Sequence, residues 1–314
     1  MRVRHLKQAA FVLLSCALVL GAARWLPEAE QEAPPSAALP EVYVYEGYAA
    51  STEAALDEKS LAYAARKFQQ LYDGYLTANA GHIYLSVIPD KGSFTQPPEG
   101  YTPAAAQETA DALLGALDFV RYADIAPLLT LEDYYRTDPH WRQERLIPTA
   151  QALAQAMGVP MADAFEENTA DESFSGSYAA KADEPLAADT LCYLTGKVLD
   201  ACTVYDYETQ ADEPLYDLSA VDTDTPYDLY FQGSRSLLRV DSPLSATDKT
   251  LVVFRDSFAS SLIPLLAESY RTIYAVDIRY LSTQLLGRFF TPDGSEDVLF
   301  LYSTMVLNNS KTMK

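Results

Sequence analysis

The chain has 314 residues, of which 49% are apolar, and it carries a formal net charge of −21 at pH 7. This length allows one large domain or two modest ones, and the apolar fraction excludes a globally disordered protein. The negative charge argues against a protein that binds nucleic acid or anionic lipid headgroups. It also argues against a densely anionic polymer as a ligand, because no basic run follows the N-terminal segment.

Residues 1–26 are predicted to be a targeting segment. Basic residues precede an apolar run, 9–23, and an acidic, proline-bearing stretch follows it. This order of charges places the N-terminus in the cytoplasm and the body outside it. The run is short for a spanning helix and fits a signal peptide, so a cleaved signal and a single N-terminal membrane anchor both stay open. Residues 27–41 are predicted to be a linker and 42–314 the folded domain.

Strands and helices alternate along the predicted domain. Periodicity and breaker residues predict strand 41–48, helix 52–79, strand 82–89, helix 103–117, strand 118–125 and helix 142–157, with Pro148 as a kink or a late start. The acidic, serine- and alanine-rich stretch 163–190 favours a long surface loop. The later segments are strands 203–209, 227–231, 237–240, 250–255, 272–278 and 297–303 and a helix, 258–268. Apolar strands separated by helices predict an α/β layer fold with a mainly parallel sheet.

The cysteines and histidines do not indicate a metal site. Cys192 and Cys202 lie ten residues apart in the exported body, where a disulfide is permitted, but two buried thiols fit as well. No CxxC or HExxH spacing occurs, so a structural zinc has no candidate ligand set. The sequence therefore predicts neither a metal nor a cofactor.

One candidate for a nucleophile lies in the stretch 250–269, TLVVFRDSFASSLIPLLAES. It predicts a buried strand, a turn at Arg255-Asp256-Ser257 and an amphipathic helix. A serine at such a turn lies near a helix N-terminus, where unpaired N–H groups and the helix dipole favour negative charge. That position suits a nucleophile whose tetrahedral intermediate carries an oxyanion. The alternative is that Asp256 or Ser257 only caps the helix.

A candidate for the base lies in the stretch 133–144, DYYRTDPHWRQE. Residues i and i+2 of an extended segment point to the same side, and Pro139 favours an extended backbone before it. The Asp138 carboxylate can then accept a hydrogen bond from the His140 ring and fix its tautomer. The alternative is a buried structural histidine. His82 is the other histidine of the predicted domain, and it has no carboxylate close to it in the sequence.

These segments together resemble the DHHW proteins, exported bacterial proteins of the SGNH-hydrolase-like group that are similar to the alginate O-acetyltransferases AlgX and AlgJ. The motif YYRTDPHW (134–141) and the Asp-Ser-Phe of 256–258 carry the resemblance. The remaining blocks follow in the family's order: IYLSVIPDKGSF (83–94), FSGSYAAKA (174–182), TGKVLDACTVYDYE (195–208) and VVFRDSFASSLIPLLAESYRTIYAVDIRYL (252–281).

The resemblance implies a three-layer, flavodoxin-like (SGNH hydrolase-like) fold, with Ser257 as nucleophile, His140 as base and Asp138 orienting the histidine. The chain departs from the family's pattern in segment 230–240, which often reads Gly-Asn in relatives. Here Gly233 is followed by Ser234, so the Gly233 N–H or the Ser234 hydroxyl would have to complete the oxyanion hole.

The resemblance further implies an exported enzyme, anchored to the cell membrane or secreted, that places an acetyl group on a hydroxyl of a cell-surface polysaccharide. A membrane-embedded acyltransferase partner would supply the acetyl group. An acetylesterase using the same residues is an alternative, since it differs only in whether water reaches the acyl-enzyme. A non-catalytic protein that binds or assembles polysaccharide is a further alternative, favoured by the missing asparagine.

Overall fold

A computed structural model describes residues 39–162 and 164–314. The predicted signal or anchor, 1–26, and most of the predicted linker lie outside the described residues. Within the described ranges, no helix combines the length and apolar character needed to cross a membrane. Residues Leu39–Lys314 form one unit.

Twelve strands are found in the described part of the chain: β1 (Val42–Tyr45), β2 (Tyr48–Ser51), β3 (Ile83–Ile88), β4 (Arg121–Tyr122), β5 (Glu166–Phe174), β6 (Asp189–Thr195), β7 (Thr203–Asp206), β8 (Ala211–Glu213), β9 (Leu237–Asp241), β10 (Thr250–Arg255), β11 (Thr272–Val276) and β12 (Asp297–Ser303). The α-helices there are α1 (Glu58–Leu71), α2 (Ala106–Leu114), α3 (Ile147–Ala156), α4 (Ala259–Leu266) and α5 (Thr304–Leu307). Short 3-10 turns make up several of the connections.

Eight of the strands form one sheet in the order β4-β3-β12-β10-β11-β9-β7-β8. The pairs from β4 to β11 are parallel, and the remaining pairs, β11-β9, β9-β7 and β7-β8, are antiparallel. The prediction of an α/β fold around a mainly parallel sheet is thus confirmed. Because β3, β10 and β12 run in the same direction, the loops after their carboxyl ends meet at one edge of the sheet.

Both faces of the sheet are covered by apolar residues. In β10, Leu251 and Val253 belong to a cluster that includes residues of α3 and α4. Val252 and Phe254 belong to a second cluster that includes residues of α1 and α2. Successive side chains of a strand point to opposite faces, so an uninterrupted apolar run is what a strand buried on both faces requires.

Several predicted boundaries are wrong for identifiable reasons. Segment 41–48 is not one strand, because the chain reverses at Glu46 and Gly47, whose φ angles of 49° and 79° form a two-residue turn between β1 and β2. The first helix starts at 58 and not at 52, since Asp57 accepts hydrogen bonds from the first-turn N–H groups of Lys59 and Ser60. Pro148 lies in the first turn of α3, which makes it a late start and not a kink.

Two further predictions fail, one of them in part, in the middle of the chain. Segment 163–190 was predicted to be a surface loop, but residues 166–174 form β5, which pairs with β6 in a separate two-stranded sheet, while 175–188 contain neither helix nor strand. Its polar residues are tolerated because most of β5 is exposed. Segment 227–231 is not a strand: a 3-10 turn, Pro226–Leu229, is followed by Phe231 and Gln232 at φ angles of 55° and 56°. Its apolar side chains are buried, and its strand-like pairing is limited to an isolated bridge between Tyr230 and Tyr216.

The two cysteines of the domain are both free thiols. Cys192 lies in β6 and is buried, while Cys202 directly precedes β7 and is half-buried. Of the two alternatives, the structure therefore has two separate thiols and no disulfide between Cys192 and Cys202. Burial raises the pKa of the Cys192 thiol to about 11, so this thiol is held in its unreactive neutral form.

Candidate active site

The turn between β10 and α4 presents Ser257 at the carboxyl edge of the parallel strands. The carboxylate of Asp256 is buried and accepts hydrogen bonds from the Phe258 N–H at 3.0 Å and from the N–H and hydroxyl of Ser303, each at 2.7 Å. Asp256 thereby accepts the free N–H group of the turn and connects the ends of β10 and β12. The hydroxyl of Ser257 is not used as a helix cap and is left to other partners.

His140 lies on a tight loop that folds back on itself. Tyr134 and Trp141 pair as an isolated antiparallel bridge, and the Tyr135 N–H donates to the His140 carbonyl at 3.1 Å. The buried indole of Trp141 donates to the carbonyl of Phe258 at 2.7 Å. This bond joins the histidine loop to the turn that carries Ser257.

The structure brings Asp138, His140 and Ser257 into one hydrogen-bonded chain. His140 Nδ1 lies 2.6 Å from Asp138 Oδ1, and His140 Nε2 lies 2.9 Å from Ser257 Oγ. Asp138 Oδ1 also accepts the His140 main-chain N–H at 3.1 Å, which fixes the two residues on one side of the loop. All three line a single cavity of about 210 Å³. A ring held between a carboxylate and a serine hydroxyl can act as a general base.

Asp138 is held as a carboxylate by its surroundings. Burial alone would raise the pKa of this group, but the nearby His140 ring and hydrogen bonds from His140 and Ser177 lower it to about 2. The N–H and hydroxyl of Ser177 contact Asp138 Oδ2 at 3.0 and 3.1 Å. Gly176 lies so close that a Cβ there would collide with the Asp138 side chain, so only glycine fits this approach.

Two aromatic rings fix the plane of the His140 ring. Tyr227 stacks on it with ring centroids 3.8 Å apart and an angle of 7° between the planes, and Phe258 lies against it at 4.8 Å. The Tyr227 hydroxyl bonds to Ser261 Oγ at 2.9 Å in the buried interior. A ring that cannot rotate keeps both nitrogens aligned with their partners, which preorganises proton transfer.

Buried polar side chains hold the main chain of the histidine loop. The Lys91 ammonium donates to the carbonyls of Tyr135 at 2.7 Å and Asp138 at 2.8 Å, and its side chain is 1% exposed. Asp189 accepts the N–H groups of Arg136 and Thr137 at 2.9 and 2.8 Å. Burial lowers the pKa of Lys91 to about 8, against the opposing effect of three nearby carboxylates.

The sequence reasoning missed these supporting residues. Lys91, Ser177, Asp189 and Tyr227 are distant from the site in sequence, and each is of an ordinary type for a surface or a strand. Lys91 and Ser177 do fall within the blocks IYLSVIPDKGSF and FSGSYAAKA that support the family resemblance. A lysine two residues after the predicted strand 82–89 was the one further signal.

Gly233 and Ser234, the predicted oxyanion residues, line the same cavity as Ser257. Gly233 has a φ of 73°, after two residues that are also in the left-handed region. Its N–H, however, donates to the Tyr230 carbonyl at 3.3 Å and is thus engaged within its own turn. Ser234 is exposed at the cavity.

His82 has a carboxylate partner that its sequence neighbourhood does not reveal. Its Nδ1 lies 3.1 Å from Asp297 Oδ1. His82 precedes β3 and Asp297 begins β12, so the pair lies at the amino ends of the strands, opposite the edge that carries Ser257. Within the described residues, no group of three or more His, Cys, Asp and Glu side chains is arranged to hold a metal.

Neither a protein-family model nor a curated protein sequence matches the chain, but solved structures do. A DHHW family protein from Eubacterium siraeum has a TM-score of 0.63 and 20% identity, covering 86% of this chain and 92% of its own. PatB1 of Bacillus cereus with a sulfonyl adduct has a TM-score of 0.66 and 19% identity, covering 85% and 95%. The O-acetyltransferase domain of Pseudomonas putida AlgJ has a TM-score of 0.51 and 16% identity, covering 86% and 92%.

The chain has the fold of these proteins. The resemblance drawn from the sequence is thereby confirmed at the level of the fold, over most of the described domain. At these identities the likeness concerns the backbone arrangement, and function has to be argued from the site itself.

Proposed function

We propose that this protein is an exported O-acetyltransferase that acts on a cell-surface polysaccharide, with Ser257 as nucleophile, His140 as general base and Asp138 as the group that orients the histidine. The observation that carries the proposal is the continuous chain of contacts from Asp138 Oδ1 through the His140 ring to Ser257 Oγ, at 2.6 and 2.9 Å. Both distances lie within the range that proton transfer requires.

The proposed reaction has two halves. Ser257 Oγ attacks the carbonyl carbon of the acetyl donor while His140 Nε2 takes its proton. The tetrahedral intermediate then collapses, and the leaving group takes that proton and departs from acetyl-Ser257. In the second half a sugar hydroxyl gives its proton to His140 and attacks the acetyl carbon. Ser257 leaves with the proton returned by His140, and the product is the acetylated sugar.

The developing oxyanion needs two donors. The Ser257 N–H at the start of the turn is one candidate. For the second, Ser234 is better placed than Gly233, because the Gly233 N–H already donates to Tyr230.

Several wider features belong to this proposal. The apolar clusters on both faces of the sheet support the three-layer, flavodoxin-like arrangement implied by the resemblance. The basic-apolar-acidic order of residues 1–32 supports an extracytoplasmic body with an N-terminal anchor or a cleaved signal. The O-acetyltransferase activity is the one named for the similar AlgJ domain. A membrane acyltransferase partner as acetyl source is what the family resemblance of the sequence implies, and it is part of the proposal.

One observation favours a second candidate, a non-catalytic protein that binds polysaccharide. The engaged Gly233 N–H leaves the oxyanion hole short of one donor as it stands. Reaction with a sulfonyl fluoride separates the two candidates, since it needs an activated serine: Ser257 Oγ bonds to sulfur and fluoride leaves as HF. We expect one sulfonyl group per chain, located on Ser257.

The control for this labelling is internal. Ser260 lines the same cavity, but its hydroxyl accepts a hydrogen bond from Arg255 at 2.8 Å and lies on α4, so it should stay unmodified. Labelling should be lost in Ser257→Ala and slowed at least ~100-fold in His140→Ala. A folded protein that takes no label on Ser257 would sink the enzymatic proposal. Acetyl transfer to an oligosaccharide, compared with release of free acetate, then separates transferase from esterase.

A further inference from the structure

The cavity in front of Ser257 has several carboxylates and hydroxyl groups among its lining residues, beside apolar ones such as Phe174 and Pro226. Besides Asp138, which is bonded to His140, its wall contains Asp224 and Asp228. Within the described residues, no lysine or arginine is part of the lining. The remaining polar groups of the wall include the hydroxyl residues Ser177, Thr225, Tyr227, Ser234 and Ser260.

The two extra carboxylates differ in how they are held. Asp228 is half-buried, accepts the Thr225 hydroxyl at 2.7 Å and packs against Gly233 so closely that a Cβ on that glycine would collide with it. Asp224 is exposed at the cavity wall. Neither forms an ion pair with a described lysine, arginine or histidine. Their charges are therefore available to a ligand.

A cavity whose walls carry charges of one sign concentrates ligands of the other sign. Here the local charge has the same sign as the net charge of the chain, −21, so the two effects add. A uronate carboxylate entering the cavity would meet Asp224 and Asp228 without a cation to accept it. A protonated amine would donate a charge-assisted hydrogen bond to either carboxylate.

We propose that the acceptor of this site is a glycan with free amino groups, bound with an ammonium against Asp224 and Asp228, and that the site ranks acceptors in the order amino sugar, neutral sugar, uronate. This inference rests on the proposed function, since it assigns the substrate class of the same site. It concerns binding of the acceptor, which can be measured separately from acyl transfer.

Three β-1,4-linked trisaccharides with the same backbone stereochemistry test the ranking: those of glucosamine, glucose and glucuronate. Each is added at about pH 6, where amines are largely protonated and carboxylates ionised, and the slowing of Ser257 sulfonylation is measured. We expect the glucosamine trisaccharide to protect at a concentration at least ~10-fold lower than the glucuronate one. The ratio should shrink between about 20 mM and about 300 mM salt, because screening shortens the reach of the charges.

The isosteric variants Asp224→Asn and Asp228→Asn connect the preference to these residues. We expect each to lower the ratio between the glucosamine and glucuronate trisaccharides at least ~3-fold, and the double variant to abolish it. Asp212→Asn, on an exposed strand position outside the cavity lining, is the matched control and should keep the full ratio. Equal or better protection by glucuronate, an unchanged ratio in the double variant, or no protection by any trisaccharide would overturn the inference.

Failure of the proposed function gives a different result. If Ser257 takes no sulfonyl label, equilibrium binding of the same trisaccharides replaces protection as the measurement, for wild type and the asparagine variants. The dissociation constants then test the ranking of acceptors by themselves. The missing label has in that case already contradicted the enzymatic proposal.

Discussion

The indole N–H of Trp141 donates to the main-chain carbonyl of Phe258 across 2.7 Å. Each partner directly follows a residue of the Asp-His-Ser chain in sequence, Trp141 after His140 and Phe258 after Ser257. The bond therefore sets the spacing between two segments that lie 117 residues apart along the chain. It also gives the tryptophan of the motif YYRTDPHW a structural task, since the indole is buried and does not line the cavity.

Trp141→Phe should lower turnover more than its effect on stability explains. The variant removes this hydrogen bond from the buried Phe258 carbonyl, which still accepts the Ser261 hydroxyl at 3.4 Å, and the loss costs ~0.5–1.5 kcal/mol of unfolding free energy. It also loosens the 2.9 Å contact between His140 and Ser257, and kcat should fall ~10–100-fold, since small misplacements are expensive in a preorganised site. Tyr134→Phe is the control: it removes a similar buried bond, to the Pro89 carbonyl at 2.7 Å, without touching the serine turn. A comparable kcat loss in both variants would contradict this role.

Ser257→Ala should abolish acetyl transfer and acetyl-ester hydrolysis and leave the fold intact. Because Asp256 and not Ser257 caps the turn, the melting temperature should shift by only a few degrees, while turnover falls by several orders of magnitude. Release of p-nitrophenol from its acetate ester measures the first half-reaction. His82→Ala should retain turnover, because its pair with Asp297 lies at the opposite edge of the sheet. Activity that survives in Ser257→Ala would refute the assignment.

Asp138 should contribute stability that is lost in acid. Its pKa is lowered from 3.8 to about 2 in the folded protein. The folded state thus binds this proton less tightly than the unfolded chain, and the contribution, about 2 kcal/mol, is complete above pH ~4 and fades as the pH falls toward ~2. Denaturant unfolding of wild type and Asp138→Asn should differ most near neutral pH and converge in acid. Asp138→Asn should also damage turnover at neutral pH, since the amide can hold the ring in the wrong tautomer.

Because of Lys91, raising the pH above about 8 should increase the unfolding free energy of the protein but lower its turnover. Burial lowers its pKa from 10.5 to about 8, so the folded protein releases this proton before the unfolded chain does. The unfolding free energy of the wild type should therefore rise by about 3 kcal/mol between pH ~8 and pH ~10.5, compared with that of a Lys91→Met variant over the same interval. Over the same interval turnover should fall, because the neutral amine bonds the Tyr135 and Asp138 carbonyls more weakly.

The Lys91→Met variant should have lower turnover at neutral pH and lack the alkaline change in both properties. Lys249→Met is the matched control, since that ammonium is partly exposed and pairs with Asp297 far from the site. Its pH profile of turnover should follow that of wild type. An alkaline limb that persists unchanged in Lys91→Met would assign the titration to another group.

The parts of the fold that the sequence predicted well are those with one dominant local signal. The run TLVVFR followed by Asp-Ser predicted β10, the turn and α4, because a strand buried on both faces has to be apolar throughout. Asp138 and His140 were predictable as a pair because two residues in an extended segment share a side. The contact of His140 with Ser257 was predicted by elimination, because His82 has no carboxylate close to it in sequence, and the family resemblance supported it; no local rule relates positions 117 residues apart.

The failures have a common physical origin, in which distant partners override local preference. Segment 227–231 has strand-forming residues, but its tyrosines are used to pack on His140 and in the interior. β5 has no apolar alternation, and it is a strand because β6 offers it a hydrogen-bonding edge. The Asp297 partner of His82 was invisible for the same reason, since it lies 215 residues away.

The order of the strands has a consequence for how the protein is made. β12 is the last described strand in the chain, yet it lies in the middle of the sheet, between β3 and β10. While it is still missing, β3 and β10 present unpaired edges, and Asp256 lacks the Ser303 N–H and hydroxyl that hold it. The turn that carries Ser257 can therefore not be completed during synthesis before β12 has emerged. The sheet can close only after β12 has been synthesised, and its closure depends on slow, long-range strand insertion during which the exposed edges are vulnerable to aggregation.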